Sequence, residues 1–265
     1  MTLSLHTTHI STADPAVRKI GLHDLSFALR QGLSDFAAKP THLYFLALIY
    51  PLVTLGTFLV VFNYDLLPLA FPVLSGSLLI GPVITIAMCE ISRKRERGED
   101  ISPSNTGNFL RNPAAPQILV LGGVLLALFL FWIATAATLY DMTLGDPWRA
   151  VEPTSARDFI NRLFATPEGW TLIGIGNAIG LVFAITALCL SVVSFPLLLD
   201  RNVSVGTAIR TSFKAVAANP VVLGVWGALV VAALALGAVP FLVGLALCVP
   251  VLGHATWHLY RRLVV

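Results

Sequence analysis

The sequence predicts an all-α membrane protein: six transmembrane helices as three helical hairpins, each preceded by a cytoplasmic amphipathic or elbow segment. Three observations lead there. Of 265 residues, 56% are hydrophobic and 12% charged, against roughly 25% charge in a soluble domain. The charged residues leave gaps of bilayer length. Two parts of the chain also repeat one another.

A spanning helix needs about 20 apolar residues. Uncharged runs lie between Lys39 and Asp65, Asp65 and Glu90, Arg111 and Asp141, Glu168 and Asp200, and Lys214 and Arg261. The last run is 46 residues long, enough for two crossings with a turn at Gly237 to Pro240. The expected spans are about 41–63, 68–91, 115–140, 170–198, 220–238 and 240–260. They form a single domain over 21–262, after a mobile cytoplasmic tail at 1–20.

Lys and Arg set the orientation, because cytoplasmic segments next to membrane helices carry the positive excess. With the N-terminus inside, 14 of the 17 basic residues fall on the cytoplasmic side, and only Arg149, Arg157 and Arg162 fall outside. Both termini are therefore expected in the cytoplasm. The basic pI of about 8.9 reports sidedness and contact with anionic lipid, with no call for nucleic acid. The first 18 residues are polar and lack the apolar core of a signal peptide. Cys89, Cys189 and Cys248 fall within helices without ligand spacing and read as small buried hydrophobes.

The internal repeat is clearest between the first and third units. PVLSGSLLIGPVITIAMCEISR at 72–93 aligns without a gap to PFLVGLALCVPVLGHATWHLYR at 240–261, with eight of 22 positions identical. Upstream, ALRQGLSDFAAKP at 28–40 matches AIRTSFKAVAANP at 208–220. Each upstream stretch carries an apolar stripe at helical spacing: Leu25, Leu29, Leu33 and Phe36, and Val205, Ile209, Phe213 and Val216. Such a helix lies along the membrane surface, its stripe in the headgroup boundary or against the bundle. Pro40 and Pro220 then end it and open the next span. Asn112-Pro113 and SFPLLLDRN suggest a looser third copy in helices 3 and 4.

Residues private to one copy are the candidates for function. His254 aligns with Ile86 and His258 with Glu90. The two imidazoles share a helical face and, with His42 near the start of helix 1, are candidate metal or haem ligands. The competing reading makes Trp257, His258 and Tyr260 an interfacial belt above Arg261 and Arg262. Glu90 and Asp200 close helices 2 and 4, each beside basic residues, so Glu90, Asp200 and His258 form a candidate cytoplasmic rim for docking a partner or handling protons. Asn177, in GIGNAIG, is the candidate polar site inside the membrane, on a helix whose Gly176 and Gly180 allow close packing. No Lys, Arg, Asp or Glu falls at mid-membrane, whereas ion pathways usually carry such groups. No H-E-x-x-H, P-loop or G-x-S-x-G occurs, so no catalytic residue and no cofactor are assigned. Pro82 and Pro250 read as packing kinks.

The stretches DLSFALRQGLSDFAAKP, LPLAFPVLSGSLLIGP, EISRKRERGE, FPLLLDRNVSVGTAIRTSFKAVAANP and GHATWHLYR resemble a bacterial, mainly proteobacterial, family of predicted integral membrane proteins catalogued as a domain of unknown function. They cover most of the chain from about residue 20 to 262. The resemblance implies an inner-membrane location and carries over no catalytic residue. Two functions are expected from the residues. One is a non-enzymatic accessory, scaffold or assembly subunit of a larger inner-membrane complex, such as a respiratory one, whose partners are membrane lipids and other membrane subunits. The other is a small permease or channel for an apolar or weakly polar solute or lipid, lined by Asn177, Ser75, Ser77 and Thr85.

Overall fold

The computed structural model describes residues 15–38, 56, 68–77, 81–99, 113–149, 156–238 and 244–265, and among them every element is a helix. In chain order these are α1 (Leu22–Ala38), α2 (Ala70–Ser77), α3 (Gly81–Ile84), α4 (Ile86–Glu96), α5 (Ala115–Arg149), α6 (Ala156–Ala165), α7 (Pro167–Ser191), α8 (Ser194–Asp200), α9 (Val205–Ala218), α10 (Pro220–Ala238) and α11 (Leu245–Leu263). The chain divides into two compact units, one from residues 1–43, 82–123 and 188–265, the other from 44–81 and 124–187.

Among the described residues three stretches are long and apolar enough to cross a membrane: Ala115–Leu144, Pro167–Asp200 and Pro220–Gly237. They correspond to three of the expected spans. The expected span at 41–63 lies outside the described residues apart from Gly56. The one at 68–91 is broken, with α3 ending before Thr85 and α4 starting after it. For the one at 240–260, α11 starts at Leu245 and continues to Leu263. Its second half carries His254, His258, Arg261 and Arg262, which lowers its hydropathy below that of a membrane-crossing stretch. A turn at Val192 and Val193 separates α7 from α8. Pro196 explains it, because a proline ring clashes with the carbonyl four residues earlier, here that of Val192.

In the first unit α11 is the centre, packed by α1, α4, α8 and α10. Small residues permit the approach. A Cβ on Gly32 of α1 would stand 2.7 Å from the backbone nitrogen of Ala255, and one on Gly253 would stand 2.9 Å from the Met88 Cβ of α4. Around these contacts Leu25, Ala28, Trp257, Leu259, Tyr260 and Leu263 are buried. The interfacial belt expected from Trp257 and Tyr260 is thus corrected: both rings are core residues, tilted against each other at 5.5 Å between centroids. The last turns of α11 are covered by α1 and α4, which the local sequence of α11 does not reveal.

Of the stripe expected in the headgroup boundary or against the bundle, only Leu25 is fully buried against the bundle. The buried face of α1 is Asp24, Leu25, Ala28, Gly32 and Asp35, and that of α9 is Thr207, Ala208, Thr211, Ser212 and Ala215. Small and polar residues pack inward, while Leu33 and Phe213 are exposed. Residues 15–20, which fall in the expected tail, are pinned instead: Val17 pairs antiparallel with Val264, and the Arg18 amide donates to the Leu263 carbonyl at 2.8 Å. Asn219, between α9 and α10, holds the same strip, its Oδ1 accepting from the Ile20 amide and its Nδ2 donating to the Arg18 carbonyl.

In the second unit α5 and α7 share a core of Trp132, Ala136, Phe183 and Ala187. A Cβ on Gly180 would stand 3.2 Å from the Trp132 ring and one on Gly176 would stand 3.6 Å from Leu139, so the small face of α7 receives bulky side chains. The indole of Trp132 donates to the Pro72 carbonyl of α2 at 2.9 Å.

Candidate functional site

Among the described residues of the first unit, a buried polar grouping lies where α1, α4 and α11 meet. Asp35 is on the inward face of α1, two residues past the exposed Leu33 and only 4% exposed. Ser92 and Arg95 come from α4, His254 and His258 from α11. The Oδ1 of Asp35 accepts from Arg95 Nη1 at 2.6 Å. Its Oδ2 accepts from the Ser92 hydroxyl and lies 2.7 Å from His258 Nε2. Ser92 Oγ in turn lies 2.9 Å from His254 Nδ1.

Proton bookkeeping fixes the roles. An ionised carboxylate only accepts, so His258 carries its proton on Nε2. Ser92 has one hydroxyl proton and spends it on Asp35. His254 therefore donates from Nδ1 to Ser92 Oγ. Burial pushes the Asp35 carboxyl up, but the hydrogen bonds from His258 and Ser92 and the charges of the two imidazoles outweigh it, holding the pKa below its ordinary value of 3.8.

This is not a nucleophilic triad despite its composition. In a triad the hydroxyl faces an imidazole that accepts its proton, and the carboxylate orients that imidazole from behind. Here the hydroxyl is bound to the carboxylate, and Ser92 and His254 are 1% and 0% exposed. Among the described residues no group of three or more His, Cys, Asp or Glu is placed to hold a metal ion. His254 and His258 share one helical face but turn to different members of the Asp35–Ser92 pair. His42 lies outside the described residues.

The rim candidates are distributed among three groupings. Glu90 forms a two-point pair with Arg93 of its own helix at 2.7 and 2.8 Å, with Lys94 at 3.8 Å. The bond to Glu90 raises the Arg93 pKa further. Asp200 at the end of α8 accepts from Tyr260 Oη at 2.8 Å and pairs with Arg97 at 3.1 Å, with Arg261 and Arg201 at 3.7 and 3.8 Å. Glu96 accepts from the Trp257 indole at 2.9 Å and from Arg261 at 3.0 Å. His258 belongs to the Asp35 grouping. Glu90, Asp200 and His258 are thus not joined directly, although Arg261 links the Glu96 and Asp200 groups.

Asn177 is exposed on α7 and its amide donates to the Ile173 carbonyl one turn back, at 2.7 Å. Ser75 and Thr85 likewise donate to carbonyls three residues earlier. These groups are spent on their own helices.

Sequence reasoning missed Asp35, Ser92 and Arg95. A signal existed for Asp35: it aligns with Ala215 in the repeat, so it is private to its copy, as His254 and His258 are to theirs. Asp35 and Ala215 are both buried, so the position faces inward in both helices and the carboxylate there needs a partner.

No curated protein and no solved structure matches the chain. Residues 70–200, from α2 to the end of α8, match a family model. That segment, which holds two of the three membrane-crossing stretches, is similar to the family described as predicted integral membrane protein (DUF2189).

Proposed function

We propose that the protein is a non-enzymatic accessory, scaffold or assembly subunit of a larger membrane complex. The observation that carries this reading is the closure of its polar centre. Asp35, Ser92 and His254 are buried and bonded to one another, and the half-buried His258 is turned onto the Asp35 carboxylate. A group so enclosed holds helices in place.

The topology that goes with it is six spans as three hairpins in the bacterial inner membrane, both termini cytoplasmic, with a repeated surface-helix unit. Two features support it. The aligned pairs Ala28 and Ala208, Gly32 and Ser212, and Asp35 and Ala215 are all buried, so α1 and α9 use the same face. The C-terminal ends of α4, α8 and α11 also gather through Asp200, Arg97, Tyr260 and Arg261, as they would if all three exits lay on one side. The permease alternative would use Asn177, which is exposed on α7 with its amide donating to the Ile173 carbonyl of its own helix.

The test is to tag the C-terminus, extract native membranes in mild detergent and identify what co-purifies. A reproducible partner in stoichiometric amount is expected. A lone protein or homo-oligomer that also conducts a solute in liposomes would overturn the reading.

A further inference from the structure

Helices α1 and α9 carry the same arrangement around their axes. Three sectors follow in order: the buried small and polar face, a large apolar arc, and an arginine. In α1 the apolar arc is Leu29, Leu33 and Phe36 with Arg30 beyond it; in α9 it is Ile209, Phe213 and Val216 with Arg210 beyond it. Leu33 and Phe213 align with each other and are 54% and 45% exposed. Arg30 and Arg210 also align, and both are exposed.

Chain connection says what lies against α9. The membrane-crossing stretch Pro167–Asp200 ends just before it, with only Arg201 to Ser204 between, and Ser204 caps its start by accepting from the Thr207 amide at 3.1 Å. The stretch Pro220–Gly237 begins just after it, past Asn219 alone. A helix tethered at both ends to membrane-crossing helices lies at the membrane boundary. Asn219 also binds the extended segment leading into α1, which brings that helix to the same level.

We propose that α1 and α9 are two matched footholds on anionic phospholipid. Leu33 and Phe213 enter the acyl boundary, and Arg30 and Arg210, with Lys214 one turn beyond Arg210, meet the lipid phosphates. Arginine suits this role because its planar fork offers paired donors to phosphate oxygens. The footholds do not depend on whether the protein has a partner subunit.

The test uses the full-length protein in nanodiscs of phosphatidylcholine mixed with phosphatidylglycerol. Native mass spectrometry reads which lipid stays bound, and brominated acyl chains read side-chain depth. The wild type retains phosphatidylglycerol in preference. Arg30→Gln and Arg210→Gln each weaken that preference by about fivefold, as one basic side chain near an anionic surface implies. Phe213→Trp adds emission that brominated acyl chains quench strongly, whereas Lys214→Trp, at the level of the phosphates, adds emission that they quench less. Equal retention of both lipids, an unchanged preference in the double arginine variant, or no extra quenching of Phe213→Trp over Lys214→Trp would each overturn the proposal.

Discussion

His258 Nε2 lies 2.7 Å from Asp35 Oδ2, joining the last helix of the chain to the first across 223 residues of sequence. The same carboxylate takes Arg95 and Ser92, so one side chain of α1 ties down both α4 and α11.

Asp35→Asn removes the negative charge that Arg95 and the imidazoles face. Breaking a buried ionic group by removing one partner costs about 3 kcal/mol or more. A clear fall in the thermal unfolding midpoint in detergent is expected. An unchanged midpoint would mean that the network does not hold α1.

The network also predicts the direction of acid sensitivity. The folded-state pKa of Asp35 lies below 3.8, so its contribution is present in full above the unfolded value and is lost as pH falls through the folded one. Unfolding midpoints measured against pH should therefore drop below about pH 4 in the wild type. In Asp35→Asn that part of the acid loss should be missing.

Two glycine substitutions separate close packing from composition. The Cβ of Gly32→Ala would stand 2.7 Å from the Ala255 nitrogen and 2.8 Å from the Val251 carbonyl oxygen, both backbone atoms that cannot rotate away. Forcing α1 and α11 apart costs about 1–3 kcal/mol. Gly224→Ala in α10 meets nothing within 4 Å and should stay within about 0.5 kcal/mol of wild type. Equal losses in the two variants would refute the distinction.

Asn219→Ala leaves the Ile20 amide and the Arg18 carbonyl without their side-chain partner. Hydrogen exchange at Ile20 should speed up, while the amides of α9 beyond its last turn keep their protection. An unchanged Ile20 rate would show that the pairing of Val17 with Val264 holds the strip by itself.

Much of the fold is legible in the residues because hydropathy is local: an apolar run of bilayer length needs no knowledge of its neighbours. The stretches Ala115–Leu144, Pro167–Asp200 and Pro220–Gly237 follow from that reasoning. The inward faces of α1 and α9 do not. The sequence leaves the stripe with Leu33 and Phe213 two places, the headgroup boundary or the bundle, because beside a membrane lipid serves large apolar side chains as well as protein does. What lipid cannot replace is close backbone contact and hydrogen bonding, so Gly32, Ala208, Thr211 and Asp35 turn inward.

By itself the sequence determined the class of protein and the apolar stretches Ala115–Leu144, Pro167–Asp200 and Pro220–Gly237, since each is written in neighbouring residues. Only tertiary structure decided that Asp35, Ser92, His254 and His258 share one site. Helical periodicity sets which residues of one helix lie on a common face, while the partner of that face comes from how α1, α4 and α11 pack.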